Sequence, residues 1–248
     1  MTDSETLAAY SCMYHGDWSR IAEALAQRRA PLPCTIPTGY ITVLDEDYPE
    51  RLKALRYPPW VLFYQGDLSL LKRQSITVIG SRSLSEYGRK MTHEIVRRLA
   101  GRYVIVSGLA KGADGEAHRS AIEAGGSTIG VTGSGLKTHY PKENEQLYRI
   151  MAQKHLILSE YPYDTGVRKE HFPWRNRILA ALSERIVVSQ AALKSGTMLT
   201  VNEGLALNRE IWCVPYPYGS EEGGGCSLLI QQGANMLYDP AQLDDFLH

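Results

Sequence analysis

IVSGLAKGADGEAH, residues Ile105 to His118, finishes a short β-branched apolar run that begins at Tyr103. It breaks on Ser107-Gly108, then resumes a helical pattern with Ala117, Ala121 and Ile122 on the apolar side. The run predicts a buried strand. Strand, glycine turn and helix start, in that order, aim backbone N–H groups at an anion. The same unit occurs on either side. Before it come ITVIG (Ile76 to Gly80), SRSLSEYG and a helical pattern from about Glu86 to Leu99; after it come STIGVTGSG (Ser127 to Gly135) and LKTHYPKEN. One glycine turn serves any strand-to-helix connection. Three in series place three turns on one edge of a parallel sheet, where such sheets bind their ligands.

Outward from these units the alternation continues. Strands are predicted near 76–80, 103–107, 127–132, 155–158, 185–189 and 210–214, and helices near 86–100, 113–124, 143–153, 174–183 and 197–207. This is the pattern of an α/β fold with a doubly wound, mostly parallel sheet. Residues 1–37 are expected to form a short N-terminal helical segment, with Leu7, Ile21, Ala22, Leu25 and Ala26 apolar and Pro31-Leu32-Pro33 closing it; residues 38–248 form the main domain. ITVLDEDYPERLKALRYPPWVLFYQG, from Ile41, is expected to pack on the main sheet rather than to link domains. The long connection from Glu160 to Pro173 falls on the ligand edge, where loops of that length are often functional. Near the C-terminus, CSLLIQQGANMLY predicts a short apolar helix and a last short strand.

Composition bounds the class. The 248 residues are 44% hydrophobic and 22% charged, ordinary for a globular protein, and Lys+Arg and Asp+Glu are both 27. No Lys or Arg lies between Ile211 and His248, so the basic residues concentrate beside the glycine turns. A neutral protein with a local basic patch still binds polyanions. The four cysteines (Cys12, Cys34, Cys213, Cys226) are widely spaced, without C-x-x-C, and are expected to be buried free thiols. The N-terminus is no signal peptide and no apolar run reaches membrane-span length, so a cytoplasmic protein is expected.

The chemistry that is missing narrows the function. GSRSLS after the first strand lacks the dinucleotide fingerprint, and GSGLKTHY lacks Walker A spacing. There is no G-x-S-x-G elbow or H-E-x-x-H, and no His pairs with a Ser or Cys. No catalytic residue, cofactor or metal is expected. What remains suits phosphate. Arg82 follows Gly80-Ser81 at a strand end, where its guanidinium can fork onto a phosphate; Lys111 sits between glycines and Lys142 lies beyond the third strand. Arg175 and Arg177 flank Asn176 at a helix start, and Ser195-Gly196-Thr197 opens a helix with hydroxyl and N–H donors. His139, Tyr140, Phe172 and Trp174 lie among these charges and offer stacking surfaces to bases. Asp114 and His118, at i and i+4, are read as bracing their helix rather than moving protons.

VIGSRSLSEYG, IVSGLAKGADGEAH, GSGLKTHYPKEN, LSEYP, HFPWRNRILAALS, VVSQAALKSGT and LLIQQGAN, in this order, resemble the DprA/Smf family of DNA-processing proteins, from about Ile41 to Leu237. The resemblance implies an extended Rossmann-like fold. It also implies a non-catalytic homodimer that binds single-stranded DNA and loads the recombinase RecA onto it in natural transformation. DNA contacts are implied for Arg82 and Lys142, with pocket positions at Gly80, Ser81, Ser107, Gly108, Lys111, Arg175, Arg177, Ser195, Gly196 and Thr197. The family's dimer surface maps onto Ser227, Ile230 and Met236, beside the apolar Leu228-Leu229. Two positions depart from the family pattern. Its usual Val-Glu-Ala is here Ser189-Gln190-Ala191, an amide in place of a carboxylate, and its usual Val-Pro-Gly is Val214-Pro215-Tyr216. Losing a negative charge does not harm a DNA groove. The alternative is a nucleoside-monophosphate phosphoribohydrolase or nucleotide-binding regulator, for which SGTMLTVNEG is a distant echo and Glu203 the conceivable catalytic carboxylate.

Overall fold

The computed structural model describes residues 1–246. Helices α1 (Asp3–Tyr14) and α2 (Trp18–Ala26) lead into β1 (Gly39–Thr42), α3 (Glu50–Lys53) and β2 (Val61–Gly66). The alternating part follows as β3 (Ser75–Gly80), α4 (Glu86–Leu99), β4 (Val104–Gly108), α5 (Ala113–Glu123), β5 (Thr128–Thr132), α6 (Glu145–Lys154) and β6 (Leu156–Ser159). Then come α7 (His171–Ala181), β7 (Arg185–Gln190), α8 (Gly196–Ala206), β8 (Glu210–Cys213), α9 (Gly224–Gln231), β9 (Asn235–Met236) and α10 (Gln242–Asp245).

The strands form one sheet in the order β1-β2-β6-β5-β4-β3-β7-β8-β9. From β3 the chain winds outward through β4, β5 and β6, then returns to the other side of β3 for β7 and β8. β3 and β7 therefore bracket the switch point, and their parallel ladder pairs Val78 with Val187. The central strands are apolar on both faces because both faces are covered. Val104, Val106, Ile186 and Val188 pack with Ile178 and Val201 of α7 and α8, while the alternate residues Ile105 and Val187 pack with Val96 of α4 and Ala117 of α5.

Three expectations need adjusting. The segment from Ile41 packs on the sheet through Tyr48, Leu52 and Leu55, which share a core cluster with Val104 and Val106, but it also extends the sheet in its own plane, with β2 antiparallel to both β1 and β6. α7 begins at His171, ahead of the expected 174, because Pro173 falls in the first turn, where a missing N–H breaks no intrahelical bond. Only Cys213 and Cys226 are buried; Cys34 is exposed and Cys12 half-buried beside it, and burial pushes the Cys12 thiol up to about 12.

The N-terminal helices are tied to the sheet. A capping box of Thr2 and Glu5 starts α1, and the Ser4 hydroxyl donates to Asp45 at 2.7 Å. Asp17 caps α2 through the Arg20 N–H at 3.0 Å. Leu7 of α1 packs in one cluster with Val61 and Phe63 of β2 and Met151 of α6. Among the described residues no helix is long and apolar enough to cross a membrane.

Candidate nucleic-acid interface

A cleft of about 290 Å³ opens at the switch point, beyond the C-terminal ends of β3 and β7. The β3–α4 turn supplies Gly80 to Ser83, the β4–α5 connection supplies Ala110, the first turn of α5 supplies Asp114, α7 supplies Phe172, Arg175 and Asn176, and α8 supplies Thr197 and Thr200 behind its cap Ser195. Local chemistry holds each wall. Ser81 folds its turn by donating to Ser83 O at 3.0 Å, and Ser85 caps α4 through the Gly88 N–H at 3.1 Å. Gln190, at the end of β7, clamps that turn from below. Its Oε1 accepts from the Ser85 N–H (3.0 Å) and hydroxyl (2.9 Å), while its Nε2 donates to Ser83 O at 3.1 Å. A carboxylate could not make the last bond.

Two glycines set the approach of the loops. Gly112 has φ +72°, and a Cβ there would lie 2.3 Å from Ser81 O and 2.6 Å from Arg82 O, so the β4–α5 loop rests directly on the β3–α4 backbone. A Cβ on Gly108 would lie 2.2 Å from Asp114 Oδ2 and 2.4 Å from Arg175 Nη1. The missing side chain makes room for this buried pair. Burial pushes the Asp114 carboxyl up, and the Arg175 guanidinium beside it opposes the shift.

The floor of the cleft holds two buried polar atoms without hydrogen-bond partners, Arg175 Nε and Ser195 Oγ. Arg175 Nη1 donates to Val131 O, which fixes the guanidinium. Ser195 occupies the N-cap of α8 without capping it, and Thr197 instead donates to Gly80 O at 3.0 Å. The α8 N-terminus and a buried guanidinium thus face one space, an arrangement that attracts an anion. Above them the exposed Arg82 guanidinium stands 5.6 Å from the centroid of the Phe172 ring. Farther along the edge, Asn144 Nδ2 donates to Leu109 O (3.1 Å) and Ala110 O (2.9 Å), seating the turn that bears Lys142 against the β4–α5 loop. Lys111 pairs with Glu143 across this seam, and Lys142 is exposed.

Of the expected pocket residues, the cleft brings together Gly80, Ser81, Arg82, Arg175, Ser195, Gly196 and Thr197. Gly108 lies against the lining residues Asp114 and Arg175, while Lys111 and Lys142 do not line the cleft. Ser107 and Arg177 are placed elsewhere. Ser107 is buried in the sheet and donates to Val78 O at 2.6 Å. Arg177 is locked to the buried Glu160 (Nη1–Oε2 2.8 Å, Nη2–Oε1 2.5 Å) and to Tyr57 O at 3.0 Å. Residues at i and i+2 are about 200° apart on a helix, so only one of the two arginines can face the cleft. Beyond the expected set the lining includes Ser83, Ala110, Asp114, Asn176 and Thr200; Thr200 is legible in the sequence as the i+3 neighbour of Thr197. Glu203 is exposed and does not line the cleft. Ser227 and Met236 are exposed and Ile230 half-buried, on α9 and the edge strand β9.

His118 does brace its helix. It is fully buried, with Nε2 2.6 Å from Gly108 O and Nδ1 2.6 Å from the Thr128 hydroxyl. Nε2–H donates to Gly108 O, the Thr128 hydroxyl proton lies between Nδ1 and Ile105 O (2.7 Å), and burial lowers the ring's pKa to about 3, which keeps it neutral. A depressed histidine stabilises fully above its unfolded pKa and loses that contribution as pH falls toward the folded value. Between about pH 6.5 and 3 the unfolded chain binds a proton that the native state refuses, which costs about 1.4 kcal/mol per pH unit. Urea titrations at pH 7.5, 6 and 5 on wild type and His118→Gln are therefore expected to converge as pH falls. Parallel lines would show that this ring does not titrate as described.

Comparison with known proteins places the chain. The profile of the DNA recombination-mediator protein A family matches residues 39–248, and the chain belongs to that family. It is 42% identical over 200 residues to DNA processing protein DprA of Bacillus subtilis, covering 80% of this chain and 67% of that protein. Protein Smf of Escherichia coli is 38% identical over 210 residues, 84% of this chain and 56% of its own length. The crystal structure of DprA from Streptococcus pneumoniae superposes with a TM-score of 0.82 at 31% identity, over 97% of this chain and 92% of that one. DprA from Helicobacter pylori, described for its single-stranded DNA binding mode, superposes with a TM-score of 0.77 at 31% identity, over 85% of this chain and 97% of that one.

Proposed function

We propose that the switch-point cleft holds the phosphodiester backbone of single-stranded DNA. The protein acts in the cytoplasm as a non-catalytic homodimer that delivers the strand to the RecA recombinase. The observation that carries the DNA reading is the pair of unpartnered buried atoms, Arg175 Nε and Ser195 Oγ, on one cleft beneath Arg82. One feature favours a strand over a free nucleotide: the same sheet edge carries a further exposed cation beyond the cleft, Lys142, next to the Lys111–Glu143 pair. The single-strand binding described for the Helicobacter pylori relative supports the same reading. Family membership supports recombinase delivery, and the exposed Met236 on the edge strand β9 suits a symmetric partner.

The test is fluorescence anisotropy of a labelled single-stranded oligonucleotide across a salt series. Affinity is expected to fall steeply with salt, because bound phosphates release their counterions. Arg82→Glu and Lys142→Glu are each expected to lose about 10- to 100-fold in affinity with the fold intact, and to flatten the salt slope by about 0.7 for each phosphate no longer bound. No binding by folded wild type, or binding as tight as wild type by both variants, would overturn the assignment. Affinity that does not grow with oligonucleotide length would point to a free nucleotide instead.

A further inference from the structure

A second cavity, of about 380 Å³, lies between the N-terminal helices and the first turn of α7. It falls within the size range of small-molecule sites, about 300–1,000 Å³. Its walls include Trp18 and Arg20 from α2, Trp174 and His171 from α7, and Arg168 from the preceding loop. Both indoles are half-buried and fixed. Trp18 donates its Nε1–H to Pro58 O at 2.8 Å and stacks one face on Trp60, with ring centroids 5.2 Å apart. Trp174 has one face under the Arg177 guanidinium, 4.2 Å from its centroid. Tyr57 touches both tryptophans, at 5.0 Å from Trp18 and 5.6 Å from Trp174. Each indole is thus held in place by its neighbours, and both line the cavity. Asp17 and Glu170 also line the space, so its interior does not suit a phosphate.

We infer that this cavity takes a nucleobase from the strand whose backbone occupies the switch-point cleft, an inference that rests on the single-stranded DNA reading. Flat, pre-set π faces with carboxylates and imidazoles around them match a base, which stacks through its ring and uses both donors and acceptors at its edge. The exposed Arg20 and Arg168 suit the flanking phosphates. Position supports the link. His171 and Trp174 line the cavity, whereas Phe172 and Arg175 line the cleft, so the two sites share the first turn of one helix. An α-helix with its side chains is about 10–12 Å across, which an extended strand spans within a nucleotide or two.

Photocrosslinking tests this on the wild-type protein. A single 5-iododeoxyuridine is moved along a short oligonucleotide, and the irradiated complex is digested with trypsin. Residues 1–20 contribute nothing to the cleft, so the nucleotide should appear on the fragment ending at Arg20, from one or two positions of the strand. An abasic residue at those positions should lower affinity about 5- to 100-fold, the loss of one stacked base. Arg168→Glu, on an exposed loop, should weaken binding about tenfold. Crosslinks confined to α7, with abasic residues tolerated everywhere and binding still lost in Arg82→Glu, would overturn the base site and leave the cleft assignment standing. Absence of binding by wild type would overturn the cleft assignment itself.

Discussion

Arg177→Met is expected to lower the unfolding free energy by about 3–5 kcal/mol, the range for removing one partner of a buried ion pair. The Arg177 and Glu160 side chains are 5% and 4% exposed, and the guanidinium meets the carboxylate through two hydrogen bonds. The same guanidinium donates to Tyr57 O and Trp174 O, so it joins α7 to the segment before β2. Removing it leaves the Glu160 carboxylate buried with its attractive partner gone. Burial already pushes that carboxyl up against the pull of Arg177, and without the arginine it should take up a proton. The double variant Glu160→Gln with Arg177→Met should therefore recover much of the loss. Urea unfolding followed by circular dichroism reads all three proteins; wild-type stability in Arg177→Met would show that the pair contributes nothing. Affinity of the folded variant for the backbone site should be nearly unchanged, which separates Arg177 from Arg175.

Gly112→Ala is expected to damage both fold and binding. The residue sits at φ +72°, ψ −125°, a region open to glycine, and the strain alone costs about 1–3 kcal/mol in an L-residue. The new Cβ would also strike Ser81 O at 2.3 Å, an atom held in place by the Ala113 N–H at 3.0 Å. The β3–α4 backbone must yield, and Arg82 moves with it. A lower Tm and at least a tenfold loss of oligonucleotide affinity, measured well below that Tm, are expected together. Gly125→Ala is the control. It has φ +70° with no atom within 4 Å of the added Cβ, so it should lose stability and keep binding. Equal binding losses in the two variants would show that the Ser81 contact is not what matters.

The order of strands and helices was legible because each central strand is a run of apolar β-branched residues and each turn is marked by glycine. The three turns on one sheet edge followed from that order. Periodicity could not say which arginine of Arg175 and Arg177 turns inward. That depends on where α7 starts, and the start is set by Pro173 fitting its first turn. Nor could it show that Ser107 spends its hydroxyl on Val78 O, a bond between strands far apart in sequence. The antiparallel pairing of β2 with β6 has the same character: Phe63 and Ser159 meet only once the sheet exists. The aromatic cavity was the least visible feature, since residues 14–20 and 161–174 come together only through tertiary packing.

The Gln190 clamp has an electrostatic corollary. An amide that both accepts from Ser85 and donates to Ser83 O fastens the Arg82 turn without any formal charge. Protons and dissolved ions have no direct purchase on such a tether, whereas a carboxylate in its place would add a titrating, screened charge beside the groove. The field that an approaching strand meets there is set by cations that nothing in the tether neutralises. The ionic-strength response of binding in this protein should therefore report contacts with the strand, undistorted by loosening of the loop that makes them.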